Sequence, residues 1–199
     1  MDLGLRLFVA MKADLLIERL RMLPVGQLFQ HLRPKSIDAL LYLGKESSSL
    51  HSCRQTTAVS IESFSVDHPS GDDQIDKRLT RNNIAYIVFI SGKIAHQSWV
   101  FFNTLLPSQY GFDSHLPVIG DSYTAPDFRS QGLFQYSLGY ILEDLRNRNI
   151  SRNAYIITTP GNLSSIRALE KGGCQFLAHL RGTRLFGVLI FNKSAMMAV

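Results

Sequence analysis

The stretch Tyr123-Thr124-Ala125-Pro126-Asp127-Phe128-Arg129-Ser130-Gln131-Gly132-Leu133-Phe134, with the helix-patterned run Gln135 to Arg148 behind it, decides how this chain reads. A strand stops at Pro126, a short loop rich in backbone donors follows, and a helix starts on that loop. The first amides of a helix have no intrahelical acceptor and sit at the positive end of its dipole, so the junction is an anion site. Gly132 lets a ligand approach the backbone closely, and Arg129 adds a fixed positive charge. Behind the loop, Phe134, Leu138, Ile141, Leu142 and Leu145 recur at i, i+4, i+7, i+8 and i+11, an apolar stripe suited to packing on a sheet.

Further along, Asn153 to Thr159 reads as a strand. Pro160-Gly161 makes a turn, Asn162 is positioned to cap a helix, and Gly172-Gly173 ends it. The two segments together resemble the GNAT superfamily of N-acetyltransferases. That family's acetyl-CoA loop, Arg/Gln-x-x-Gly-x-Gly/Ala, corresponds here to Arg129-Ser130-Gln131-Gly132-Leu133-Phe134, with Phe134 where a small residue is usual. Its second signature corresponds to Asn162, Ser165, Ala168, Glu170-Lys171 and Gly173-Cys174, about thirty residues later.

The resemblance implies a pantetheine arm pairing with the main chain of Ser122 and Thr124. The pyrophosphate would be received by the amides of Ser130, Gln131, Gly132, Leu133 and Phe134 beside Arg129, and Asn162 would act as cap, pantetheine contact or both. It implies acetyl-CoA as acyl donor and a small-molecule primary amine as acceptor, with an amino sugar or nucleotide-linked amino sugar suggested by the Gly120-Asp121-Ser122-Tyr123-Thr124 strand and its loop. Many relatives carry a Tyr just before Glu-Lys to protonate the thiolate. Leu169 stands there and cannot, which leaves solvent, Tyr123 or Tyr155.

The whole chain of 199 residues is long enough for one domain with a core of its own. A hydrophobic fraction of 45% with mean hydropathy close to zero describes a compact fold rather than a disordered chain. Lys12 interrupts the Leu7 to Ala13 run, so no apolar stretch reaches the ~20 residues of a membrane helix, and no signal-peptide core is present; a cytoplasmic location is expected, with no membrane partner. Cys53 and Cys174 suggest neither a disulfide framework nor a zinc site, and the six histidines form no metal motif, so no metal is expected. The net charge of +5 is scattered, which suits a polyanionic cofactor and argues against nucleic acid. A homodimer is compatible with these features.

Along the chain, Leu3 to Leu23 and Val25 to Leu32 read as helices within a mainly helical lead-in over residues 1–50. Asp38 to Leu43 and Thr57 to Val66 read as strands, and Gln74 to Thr80 as a helical turn. Ile84 to Ile90 and Ile94 to Phe102 form a hairpin about Ser91-Gly92-Lys93, and Leu116 to Thr124 is the strand that feeds the loop. Gln175 to Leu180 and Arg184 to Phe191 are expected to form a second hairpin about Gly182-Thr183. The fold class is α/β, with a mixed, mainly antiparallel sheet and helices packed on it. It agrees with the acetyltransferase order over 84–191, although that family places two helices between its first and second strands.

Two residues are candidates for the general base. His96 lies in a strand among apolar or small neighbours and reads either as a base, neutral at pH 7, or as a satisfied structural histidine. Asp121 falls where the sheet should open and reads either as a base or as a structural carboxylate, in a salt bridge or capping a neighbouring loop. Asp113 and His115 are candidates for substrate contact. No Cys or Ser sits in a nucleophile setting, so direct attack in a ternary complex is expected. Two other classes fit the chain: a catalytically silent acyl-CoA-binding module, and a DNA-binding regulator using the N-terminal helices.

Overall fold

The computed structural model describes residues 35–45, 59–185, 188–192 and 196–197. The helices expected over Leu3 to Leu23 and Val25 to Leu32 lie outside these residues, as does Cys53. The chain divides into two compact units, Leu40–Ala178 with Ala198–Val199, and Met1–Ala39 with His179–Met197. The strands are β1 (Lys35–Lys45), β2 (Val59–Phe64), β3 (Asn83–Ile90), β4 (Lys93–Phe101), β5 (Val118–Thr124), β6 (Asn153–Thr158), β7 (Gln175–Leu185), β8 (Val188–Asn192) and β9 (Met196–Met197). Among the described residues the helices are α1 (Asp73–Asp76), α2 (Leu105–Ser108), α3 (Leu133–Asn147) and α4 (Leu163–Lys171), with a 3-10 turn at Pro126–Phe128.

In the larger unit β2, β3, β4 and β5 are antiparallel neighbours in that order. A crossover through α3 brings β6 parallel to β5, and β1 lies antiparallel on the far side of β6. The fold is therefore α/β with a mixed, mainly antiparallel sheet. The β3–β4 hairpin closes through Ser91 (φ 51) and Gly92 (φ 75), the two left-handed positions that match a two-residue turn to strand twist. The helical turn expected after β2 is α1, capped by Asp72, whose side chain accepts from the amides of Gln74 and Ile75.

The sequence of β3 is almost continuously apolar because both of its faces are covered. Ile84, Tyr86 and Val100 join Ile119 and Ile156 beneath Leu138, Ile141, Leu142 and Leu145, the stripe of α3. On the alternate face Ala85, Ile87 and Trp99 pack with Ile75, Phe64 and Leu79. The C-terminal end of α3 is fixed by Asp144, whose Oδ2 accepts from Tyr86 Oη at 2.7 Å and pairs with Arg148 Nε at 2.8 Å. Arg148 also donates to Ser63 Oγ on β2.

The second hairpin turns later than expected. Gly182 and Thr183 lie inside β7, paired with Asn192 and Phe191, and the ladder continues to Leu185↔Val188, so Gly182-Thr183 is not the turn. A glycine inside a strand costs about 0.5–1 kcal/mol, which the added ladder pairs offset. The register shift at Thr183/Arg184 supplies the irregularity at which strand glycines are tolerated.

Candidate active site

The site is made by strands that part. β5 and β6 pair at Val118↔Tyr155 and Ile119↔Ile156 and no further. Beyond Ile119, β5 stays with β4 as far as Thr124, while β6 stays with β1 as far as Thr158. The divergence coincides with a bulge: between Gln97↔Tyr123 and Trp99↔Gly120, the two residues Asp121 and Ser122 oppose Ser98 alone. Asp121 takes φ 47 at this kink, a strained setting that Asp tolerates better than most residues.

The bulge also settles which way the backbone of β5 faces. Ala125 N–H donates to Ala95 O at 2.9 Å, which makes His96 and Thr124 a pair that do not bond each other's main chain. The N–H and C=O of Thr124 therefore point away from β4, into the gap, and its carbonyl accepts from Arg129 Nε at 3.2 Å. Ser122, two residues earlier, shares that edge.

At the end of β5 the 3-10 turn leads into Ser130 (φ 63) and Gly132 (φ 81), and α3 starts immediately afterwards. Gly132 occupies the N-cap position, where it has no side-chain oxygen to offer, so the first turn of α3 is left without a side-chain cap. Asn162 does cap α4: its Oδ1 accepts from Ser165 N at 3.1 Å and from Ser164 Oγ at 2.9 Å. Gln135 Nε2 donates to Ala168 O at 3.0 Å and ties the start of α3 to α4. Between these parts lies a cavity of about 650 Å³. Ser122, Thr124, Arg129, Ser130, Gln131, Gly132, Leu133, Phe134 and Asn162 all line it, together with His96, Tyr123 and Lys171. The residues singled out in two separate sequence segments are thus brought to one wall and one rim.

His96 is buried, at 1% exposure, and belongs to a chain of polar side chains. Its Nδ1 lies 2.7 Å from Thr124 Oγ1 and its Nε2 2.9 Å from Ser98 Oγ, which in turn lies 2.8 Å from Ser122 Oγ at the exposed edge. Burial pushes the imidazole down from 6.5 to about 4, so it is neutral at pH 7. The Phe134 ring stands 6.0 Å from it. In the sequence Ser122 is a candidate only through its main chain and Ser98 is not one, although strand alternation puts Ser98 on the face of His96; the Ser122 hydroxyl joins them across the strand pair.

Asp121 is exposed, and Arg78 Nη2 holds its Oδ2 at 2.9 Å. The Arg78 guanidinium also lies over the Trp99 ring, 4.2 Å from the centroid. A second cavity, of about 260 Å³, opens here, lined by Arg78, Trp99, Gln74 and Gln97 and sharing His96 and Tyr123 with the first. Asp121 is not among the residues lining either cavity.

The remaining candidates separate clearly. Leu169 is fully buried in the core. Tyr155 is buried against Phe112, and burial raises its phenol. Tyr123 is 51% exposed at the wall common to both cavities. Asp113 and His115 form a local turn, with the His115 amide donating to Asp113 Oδ1, and neither is among the residues lining these two cavities. Burial pushes the Cys174 thiol up to about 11, which leaves it un-ionised at neutral pH.

No protein-family model and no curated protein matches the chain. Solved structures resemble it. A conserved protein of unknown function from Staphylococcus epidermidis aligns with TM-score 0.48 and 11% identity over 75% of this chain and 62% of its own. A tandem GNAT protein from the clavulanic acid biosynthesis pathway aligns with TM-score 0.48 and 12% identity, over 70% of this chain and 50% of its own. A predicted acetyltransferase from Clostridium acetobutylicum, solved with acetyl-CoA, aligns with TM-score 0.41 and 16% identity, over 58% of this chain and 89% of its own. The chain thus spans less than two thirds of the length of the first two.

Proposed function

We propose that the chain is an acetyl-CoA-dependent N-acetyltransferase that acetylates a primary amine on a small molecule. The observation that carries this reading is the gap between β5 and β6, which runs directly into the uncapped start of α3 and gives an extended backbone edge ending in an anion site. In this reading the pantetheine lies along the Ser122 and Thr124 edge. The pyrophosphate takes the amides from Ser130 to Phe134 and the charge of Arg129, and Asn162 flanks the arm while capping α4.

The thioester would then lie near His96 and Tyr123, where the two cavities meet, with the amine arriving from the smaller one. The amine nitrogen attacks the thioester carbonyl, the C–S bond breaks as the tetrahedral intermediate collapses, CoA leaves as thiolate, and the nitrogen gives up one proton. His96 is too weak a base to store that proton; its role is to pass it along Ser98 and Ser122 to solvent. Asp121, the other candidate base, is held by Arg78 and serves the shape of the bulge. Tyr123 supplies a proton to the thiolate in place of the tyrosine that Leu169 replaces. Most of the acceleration comes from positioning, which can supply roughly 7–11 kcal/mol in well-oriented reactions.

Thermal shift with acetyl-CoA, followed by turnover with a panel of amines that includes amino sugars, tests the reading. Binding without turnover on any amine would favour a silent acyl-CoA-binding module, which Leu169 permits.

A further inference from the structure

Arg78 is the one cationic side chain among the residues lining the smaller cavity, because His96 is neutral there. Of its five N–H donors, one bond to Asp121 is accounted for. The contact over the Trp99 ring and the bond to Asp121 hold the guanidinium from two sides, so the donor group is placed before a ligand arrives. Asp72, the acidic residue lining the same cavity, turns its Oδ1 to the amides of Gln74 and Ile75. Trp99, whose ring lies beneath the guanidinium, has a buried Nε1 with no acceptor among the described residues. The cavity, about 260 Å³, suits a compact molecule better than a nucleotide-linked sugar.

We infer that the acceptor is a small amine that also carries a carboxylate, of the α-amino acid class, with the carboxylate taken by the fork of Arg78 and the amine directed to the wall shared by Tyr123 and His96. Planar, bidentate recognition of a carboxylate is what a fixed guanidinium does best, and the neutral carboxamide loses it. The inference rests on the acetyl-transfer reading and names the acceptor class for that site.

The test compares amino acids with their carboxamides as acceptors, and N-acetylated amino acids with the matching N-acetyl carboxamides as ligands in calorimetry. The wild type should prefer the acid by about tenfold or more in both measurements. Arg78→Gln should erase the preference through KM, and Arg78→Lys should restore part of it because it keeps the charge without the fork. Equal use and equal binding of acid and amide by the wild type would overturn the inference, as would an Arg78→Gln variant that loses both alike. If acetyl-CoA binds and the acid preference is missing, only the acceptor class falls. If acetyl-CoA does not bind the wild type, the transfer reading falls, and the acceptor class with it.

Discussion

His96 on β4 and Thr124 on β5 face each other across the strand pair, with Nδ1 2.7 Å from Oγ1, so the position of the imidazole depends on the strand that carries the proposed cofactor edge. Its pKa falls from 6.5 in the unfolded chain to about 4 in the folded one. Between those values the unfolded state binds a proton that the folded state refuses. The stability from this group is therefore fully present above about 6.5 and is lost as the pH drops toward 4, by roughly 3 kcal/mol. His96→Gln should flatten this part of the stability curve, as read by urea unfolding at pH 7, 5.5 and 4. An unchanged slope would place the acid sensitivity elsewhere.

The same burial shapes the rate profile. With His96 neutral above about pH 4, kcat/KM should show no histidine limb between pH 6 and 7 and should rise with deprotonation of the acceptor amine. Ser98→Ala interrupts the hydroxyl chain and should lower kcat while leaving acetyl-CoA affinity within about twofold. A limb near 6.5 that vanishes in His96→Gln would instead make the imidazole the base itself.

Asn162 separates capping from cofactor contact. Replacement by Ala should cost about 1 kcal/mol of stability, and replacement by Asp should keep the cap to Ser165. Calorimetry of acetyl-CoA on the three forms reads the other role, and identical affinities would leave Asn162 purely structural.

The features legible in the sequence were those whose causes are local. Pro126 ends a strand, Gly132 supplies a left-handed hinge, Asn162 caps, and the Leu138 to Leu145 stripe sets the face of α3, each within a few residues. The illegible features were set by distant partners. The salt bridge read as one option for Asp121 has its partner 43 positions away, and the hydroxyl that meets His96 Nδ1 belongs to Thr124 on the neighbouring strand, 28 positions away. β1 reaches its place by pairing Leu43 with Tyr155, a register no window of sequence contains. Gly182 misled for the same reason, since its turn preference is local and the pairing that overrides it is not.

Tyr123 carries the one exposed phenol common to both cavities. Tyr123→Phe should reduce kcat by about tenfold to a hundredfold with acetyl-CoA affinity nearly unchanged, and an acyl donor with a more acidic thiol should recover part of the loss. No recovery would argue that the phenol packs the acceptor rather than protonating the thiolate.

The most direct test of the central claim is the melting temperature of the wild type and of Gly132→Val as acetyl-CoA is raised to millimolar concentration. A ligand that binds only the folded chain must raise the midpoint as its concentration increases. Gly132 sits at φ 81 beside the uncapped amides, so valine there both strains the loop and obstructs the anion site. The account predicts a rise that continues with concentration for the wild type and little or none for a folded Gly132→Val. A wild-type midpoint that stays flat through millimolar acetyl-CoA would contradict it.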